Sequence, residues 1–370
     1  MNICESNICT GCGACVGICP LKCISMERNS EAFSEPVIDD NICNKCRKCQ
    51  KICPALNYKE EDNDDSDVNF YAVINNNRDV RKQSSSGGAF SMLAEEVLRR
   101  GGFVFGAAWA DNFHSVKHIC VDNVNDLSKL RQSKYVQSNT IGSFSKVKTL
   151  LNSAALCLYS GCPCQIDGLL NFLGKKYENL ITVDFVCNSI TSPFVWSSYV
   201  DFIEEKENSR LSGIELRTKN RPYSLYAQLF SFENNCAYIK YTDDPENYMK
   251  LFGKGLVGRS ICYNCKYRRK NHKSDFTLAD FWNADKFDET LFDDGGISFV
   301  IFSQTPKTQT FFKDSCHSST VKKVEISEEW LNENLRMIYN SPVPAEGRKE
   351  FLSRFSDGEN LSNLIKEVLA

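Results

Sequence analysis

The chain has 370 residues, 42% of them apolar and 25% charged, and 44 basic against 47 acidic side chains leave a net charge of −3. A balance so near neutral excludes a broadly basic nucleic-acid-binding surface. No apolar run approaches the roughly 18 residues needed to cross a bilayer, and the N-terminal MNICESNICT lacks the basic stretch and apolar core of a secretory segment, so a cytoplasmic protein in a reducing compartment is expected.

Cysteine usage is the outlier, with ten of the 19 cysteines in the first 53 residues. Eight of them form two copies of one phrase, Cys9-x2-Cys12-x2-Cys15-x3-Cys19-Pro20 and Cys43-x2-Cys46-x2-Cys49-x3-Cys53-Pro54. This is the spacing of bacterial two-cluster ferredoxins, in which three close thiolates hold one [4Fe–4S] cube and the fourth reaches across to the other. The predicted ligand sets are Cys9, Cys12, Cys15 and Cys53 for one cube, and Cys43, Cys46, Cys49 and Cys19 for the second. Disulfides would need an oxidising compartment, and zinc usually takes paired knuckles without this triplet and its Cys-Pro. Cys4 and Cys23 fall outside both phrases and are expected to be packed thiols. Residues 1–58 are thus read as a small ferredoxin-like domain.

Residues 59–69 follow as an acidic linker, in which KEEDNDDSD carries a net charge of −5, six acidic side chains against one basic. It is a solvated connection or, less simply, a strip that steers a basic partner. The larger body, 70–330, opens with the strand FYAVIN (70–75). Ser84-Ser85-Ser86-Gly87-Gly88 then leads into a helix whose Phe90, Leu93, Ala94, Val97 and Leu98 recur at helical spacing. Such an entrance is either a phosphate cradle at a helix N-terminus or an ordinary serine-rich lead-in. FVFGAAW (103–109) and VKHICV (116–121) read as paired strands, and VNDLSKL (124–130) as a short helix. AALCLYSG (154–161) and LITVDFVC (180–187) are apolar strands, each followed by a helix, which suggests an α/β layer with parallel pairing and ligands at the carboxyl ends. GIELRTK, LYAQLFSFE and AYIKYT, between 213 and 242, alternate as antiparallel strands, and FTLADFW (276–282) and ISFVIFS (297–303) add two more. The fold class is therefore mixed α/β, with the ferredoxin-like domain fused to a larger domain and a helical segment, 331–370, packing on it.

Cys262-x2-Cys265, Cys164 and Cys187 admit three readings: a further [4Fe–4S] site, a zinc knuckle completed by His272, or thiols without metal. Cys120, Cys157, Cys236 and Cys316 read as core thiols. The basic run from Lys266 to Lys273 suits flavin phosphates or substrate carboxylates, or is a solvated loop.

In order along the chain, SSSGGAFSMLAEEVL, LRQSKYVQS, SGCPCQIDGL, VCNSITSP, ICYNCKYR and SDFTLADFW resemble the beta subunit family of coenzyme F420-reducing hydrogenases and dehydrogenases, over most of residues 70–303. The resemblance implies an FAD-containing oxidoreductase with a further [4Fe–4S] cluster held by Cys164, Cys187, Cys262 and Cys265. It implies flavin contacts at Ser85, Ser86, Gly87 and Gly88, with Ser133, Lys134 and Tyr135 nearby. Asp280 and Trp282 match a Gly-Asp-Trp-like phrase from which the chain departs at Ala279 and Phe281, and Cys162 stands where a threonine is expected.

The function so implied is electron transfer between the ferredoxin-type clusters and FAD, to reduce or oxidise a small molecule. The alternatives are a coenzyme F420-dependent dehydrogenase or hydrogenase beta subunit, with F420 as substrate, and a non-catalytic electron-transfer subunit. Expected partners are a ferredoxin or other redox protein and a second copy of the chain, with no nucleic acid. No catalytic proton donor is assigned.

Overall fold

The structure, a computed structural model, describes residues 2–59, 68–219, 227–241, 244, 246–291 and 293–369. Residues 60–67 of the acidic linker lie outside the described residues, and its last two residues, Val68 and Asn69, already belong to a strand.

In the N-terminal part each cysteine phrase ends in a short helix, α1 (Ala14–Ile18) and α2 (Lys48–Lys51). The hairpin of β1 (Ile24–Arg28) and β2 (Ser34–Ile38) joins them. Pro54 starts α3 (Pro54–Asn57) at its first position, where the missing N–H is no loss, with Cys53 as the preceding cap.

Nine strands build the main sheet. They are β3 (Val68–Asn75), β4 (Phe103–Trp109), β5 (Val116–Val121), β6 (Ser138–Asn139), β7 (Cys157–Ser160), β8 (Leu180–Phe185), and the later strands Phe276–Asp280 (β12), Ser298–Ser303 (β13) and Ser319–Val324 (β14). Their spatial order is β14-β3-β13-β12-β8-β7-β4-β5-β6. A separate antiparallel sheet holds β9 (Leu211–Glu215), β10 (Ala227–Phe232) and β11 (Ala237–Tyr241).

The predicted parallel pairing holds for β4, β7, β8 and β12. The strands at 103–109 and 116–121 pair as read, as the antiparallel hairpin of β4 and β5, and β13, β3 and β14 pair antiparallel with β12, β13 and β3. The reason is connection length: residues 110–115 between β4 and β5 allow only a hairpin, whereas a helix carries β7 over to β8.

Helix α4 (Arg78–Lys82) precedes α5 (Ala89–Arg99), whose Leu93 and Val97 are fully buried against the sheet, each worth about 2 kcal/mol of apolar burial. Further on, α6 (Ser143–Asn152), α7 (Pro163–Leu173) and α8 (Pro193–Glu207) cover the sheet. In the C-terminal segment Leu352, Leu364 and Ile365 share a core cluster with Trp196 and Tyr199 of α8.

The N-terminal part shares its core with the body, Cys12 and Ala14 packing with Phe144, Leu169 and Phe172. Polar clamps lock the joint. Buried Arg259 donates to the Cys9 carbonyl at 2.7 Å, the Ser34 carbonyl at 3.2 Å and Gln137 Oε1 at 2.9 Å. Arg348 donates to Glu31 at 2.7 Å and to the Gly258 carbonyl at 2.7 Å. The C-terminal segment therefore carries a polar role that its helical pattern does not announce.

Candidate functional site

The two cysteine loops have the same backbone. In each, the N–H two residues after the first cysteine donates to its sulfur at 3.4 Å, Gly11 to Cys9 and Lys45 to Cys43. Left-handed residues sit at matching positions, Gly11 and Gly13 with φ of 66° and 74°, and Lys45 and Arg47 with φ of 57° each. The first loop needs glycine because it is pressed against the body: a Cβ on Gly11 would lie 2.0 Å from Gln137 Nε2, and one on Gly13 would lie 2.6 Å from Thr140 Oγ1. The second loop is exposed, including Cys46.

The eight thiols fall into two groups. Burial pushes Cys12 up to about 12 and Cys15 higher still, and both feel the charges of Cys9 and Cys53. Cys49 is raised by burial and feels Cys19 and Cys43. Cys53 thus stands with the first loop and Cys19 with the second. Cys4 and Cys23 are more than packing. Cys4 hydrogen-bonds Cys9 and Cys53, holding them down to about 6 and about 7, and the Cys23 sulfur lies 3.4 Å from that of Cys19.

Cys164, Cys187, Cys262 and Cys265 line one cavity of about 50 Å³. Topology brings them there: β7 and β8 are parallel neighbours, so Cys164 in the first turn of α7 and Cys187 just past β8 leave the same sheet edge side by side. Cys262 and Cys265 arrive from the turn Ser260–Asn264 that precedes β12. Burial, with Cys187, Cys262 and Cys265 adding to it, pushes Cys164 well above its ordinary value, and Cys262 is pushed up to about 12. Four sulfurs so placed cannot all ionise unless a cationic centre compensates them, which is the property of a site for thiolate-bound metal. Four thiols are the donor set a cube takes, although among the described residues no three such side chains stand close enough to grip a single metal ion.

The N-terminal part supplies Ile8, Thr10, Pro54 and Ala55 to the same cavity. Close by, a Cβ on Gly168 of α7 would lie 2.8 Å from the Cys12 sulfur.

The basic run 266–273 is an ordered wall of this cavity. Arg268 donates to the carbonyls of Asn188 at 2.6 Å and Met337 at 2.9 Å, and to that of Cys187. Lys273 pairs with buried Asp167 at 2.9 Å, and His272 Nδ1 lies 2.9 Å from the Asp184 carboxylate. His272 reaches the cavity, with its ring held by β8.

A second, polar cluster occupies the same sheet edge, where Asp280 ends β12 opposite Ser298 of β13. Ser133 N–H and Oγ bond Ser85 Oγ at 2.7 and 3.0 Å. Tyr135, raised chiefly by burial, hydrogen-bonds Arg217 and Ser133. Arg217 pairs with Asp280 at 2.7 Å and lies 5.5 Å from the Trp282 ring. Lys219 donates to the carbonyls of Arg81 at 2.8 Å, Ser86 at 2.5 Å and Gly295 at 2.7 Å. Desolvation lowers both Lys134 and Lys219 to about 7.

Gly87 is fixed by packing, since a Cβ there would meet the Val73 carbonyl at 2.2 Å. Beside Gly88, the buried Asn75 Nδ2 has no hydrogen-bond partner among the described residues. An unsatisfied donor and several cations at the head of α5 fit an oxygen-rich anionic group such as a dinucleotide phosphate.

Arg217 and Lys219 were hidden in GIELRTK, read only as a strand; β9 stops at Glu215 and both lie beyond it. Cys162 caps α7 and hydrogen-bonds Cys187. Cys157 is fully buried as expected, but Cys236 is exposed, next to the Asn235 turn with φ of 63° that joins β10 to β11. Among the described residues no helix is long and apolar enough to cross a membrane.

Residues 8–57 match the family model for the 4Fe-4S dicluster domain. Residues 155–329 match the model for the C terminus of the coenzyme F420 hydrogenase/dehydrogenase beta subunit. No curated protein matches. Among solved structures, a chain of the F420-reducing [NiFe] hydrogenase complex from Methanosarcina barkeri, studied by xenon derivatization, is 15% identical, with a TM-score of 0.48 over 73% of this chain and 87% of that one. The chain thus carries an N-terminal region similar to 4Fe-4S dicluster domains and a second region similar to the C terminus of the coenzyme F420 hydrogenase/dehydrogenase beta subunit.

Proposed function

We propose that the chain is an iron–sulfur flavoprotein that passes electrons between its two N-terminal cubes, a third cube at Cys164, Cys187, Cys262 and Cys265, and FAD, so as to reduce or oxidise a small molecule. The observation that carries this reading is the convergence of four thiols from three distant segments on a cavity walled partly by the N-terminal residues Ile8, Thr10, Pro54 and Ala55. Cubes exchange single electrons, whereas a flavin exchanges one or two and so links them to hydride chemistry.

The protein's part is positioning and exclusion of water. Ile190, Ile261 and Met337 give the cavity an apolar wall, and Arg268 fixes the loop carrying Cys187 through the carbonyls it binds. Gly168 lets the Cys12 loop approach α7, whose first turn bears Cys164. At the polar cluster, Ser85, Ser86, Gly87, Gly88, Ser133, Lys134, Tyr135 and Asp280 would hold FAD, with Arg217 and Lys219 opposing its phosphates.

Denaturing anaerobically purified protein should release about one FAD per chain. Release of none, from protein with intact cluster absorbance, would leave a non-catalytic electron-transfer subunit. The family match also favours coenzyme F420 as the substrate. Flavin-dependent turnover of F420 would select that reading, and reduction only of another organic substrate would reject it.

A further inference from the structure

We infer that the loop around Cys43, Cys46 and Cys49 is the docking face for a small, acidic one-electron carrier protein, an inference that rests on the electron-transfer reading above. Cys46 is exposed, while the matching Cys12 is buried against α7, so the second group of thiols is the one that reaches the surface. Electron tunnelling between proteins needs such close approach.

Cations outnumber carboxylates in the loop around it. Lys45, Arg47, Lys48 and Lys51 are all exposed, and Lys22, also exposed, follows Cys19. Over residues 39–51 only Asp39 and Asp40 oppose them, a net charge of +2 from four cations less two carboxylates. Ile42 and Leu21, 52% and 42% exposed, add an apolar contact beside the cations. An apolar centre within a charged rim is the make-up of a transient protein interface whose association is steered by charge.

Backbone conformation supplies a second, independent argument. Lys45 and Arg47 occupy left-handed positions, which non-glycine residues adopt at a conformational cost. The equivalent positions of the buried loop are Gly11 and Gly13. Both loops make the same turn, yet the exposed one spends it on two cations. In the exposed loop these two side chains face solvent next to a surface thiol.

The test uses the full chain, purified anaerobically, and a pre-reduced acidic 2[4Fe–4S] ferredoxin as the probe, with cluster reduction followed by stopped-flow absorbance. The wild-type second-order rate should fall about tenfold between low and high salt. The double variant Lys45→Gly, Arg47→Gly should be several-fold slower at low salt and less salt-sensitive than wild type, with its iron content unchanged. The variant Lys48→Glu, Lys51→Glu, whose backbone is helical, should do the same if the glycine variant loses iron. A salt-independent wild-type rate, or an unchanged rate in an iron-replete variant, overturns the docking face. Wild-type protein lacking the N-terminal cubes would instead overturn the electron-transfer reading itself.

Discussion

The N-terminal cysteine loops and the cavity in the body each gather four or more thiols, through opposite kinds of order. In the loops, spacing along the chain does the work: left-handed residues at fixed positions fold each phrase round its own centre, and only Cys19 and Cys53 change sides. In the body, no two segments that meet at the cavity are local to one another; parallel pairing of β7 with β8 sets Cys164 beside Cys187, and the turn at Ser260–Asn264 brings the rest. A local site tolerates change elsewhere in the molecule, whereas a site assembled from distant loops depends on the whole sheet edge.

The sharpest way to break this comparison is to remove one thiol of the distant set. Cys262→Ala should cost about four irons per chain and leave the two N-terminal cubes intact, as read by iron analysis and low-temperature EPR. Next in size is the joint between the regions. Arg259→Ala should destabilise the protein by about 3 kcal/mol, since it strips the Cys9 carbonyl, Gln137 and Glu35 of a buried cation, and denaturant unfolding would measure it. The same variant should slow reduction of any acceptor in the body more than reduction of the exposed cube.

Smaller, but more local, is Gly168→Ala. Its Cβ would fall 2.8 Å from the Cys12 sulfur, an overpacking of about 2 kcal/mol that should perturb the EPR signal of the buried N-terminal cube and not that of the exposed one. The smallest effect concerns pH. Lys134 and Lys219, both lowered to about 7, gain positive charge as pH falls through that value. FAD-stripped protein should therefore take up protons on binding FAD and bind it more tightly at pH 6 than at pH 8, as titration calorimetry in two buffers would show.

Much of this was legible before the fold was known. The strands Phe103–Trp109 and Val116–Val121 were placed to the residue, because apolar runs bounded by turn residues are a local signal. The set Cys164, Cys187, Cys262 and Cys265 rests on a resemblance and on strand ends; the four line one cavity, and their role as cluster ligands is a proposal. What escaped is non-local. Helix α6 and strand β14, which covers the outer edge of β3, have mixed polar faces that blur their periodicity. Arg217, Lys219, Arg259 and Arg348 look in sequence like any solvated cation, and only the pairing of far segments shows that they are held by carboxylates and carbonyls.

The central claim, three cubes in one polypeptide, is tested most directly by iron and acid-labile sulfide analysis of anaerobically purified protein with Mössbauer spectroscopy. The account predicts about twelve irons per chain, all in [4Fe–4S] environments. About eight, with Cys164, Cys187, Cys262 and Cys265 titrating as free thiols, would contradict it.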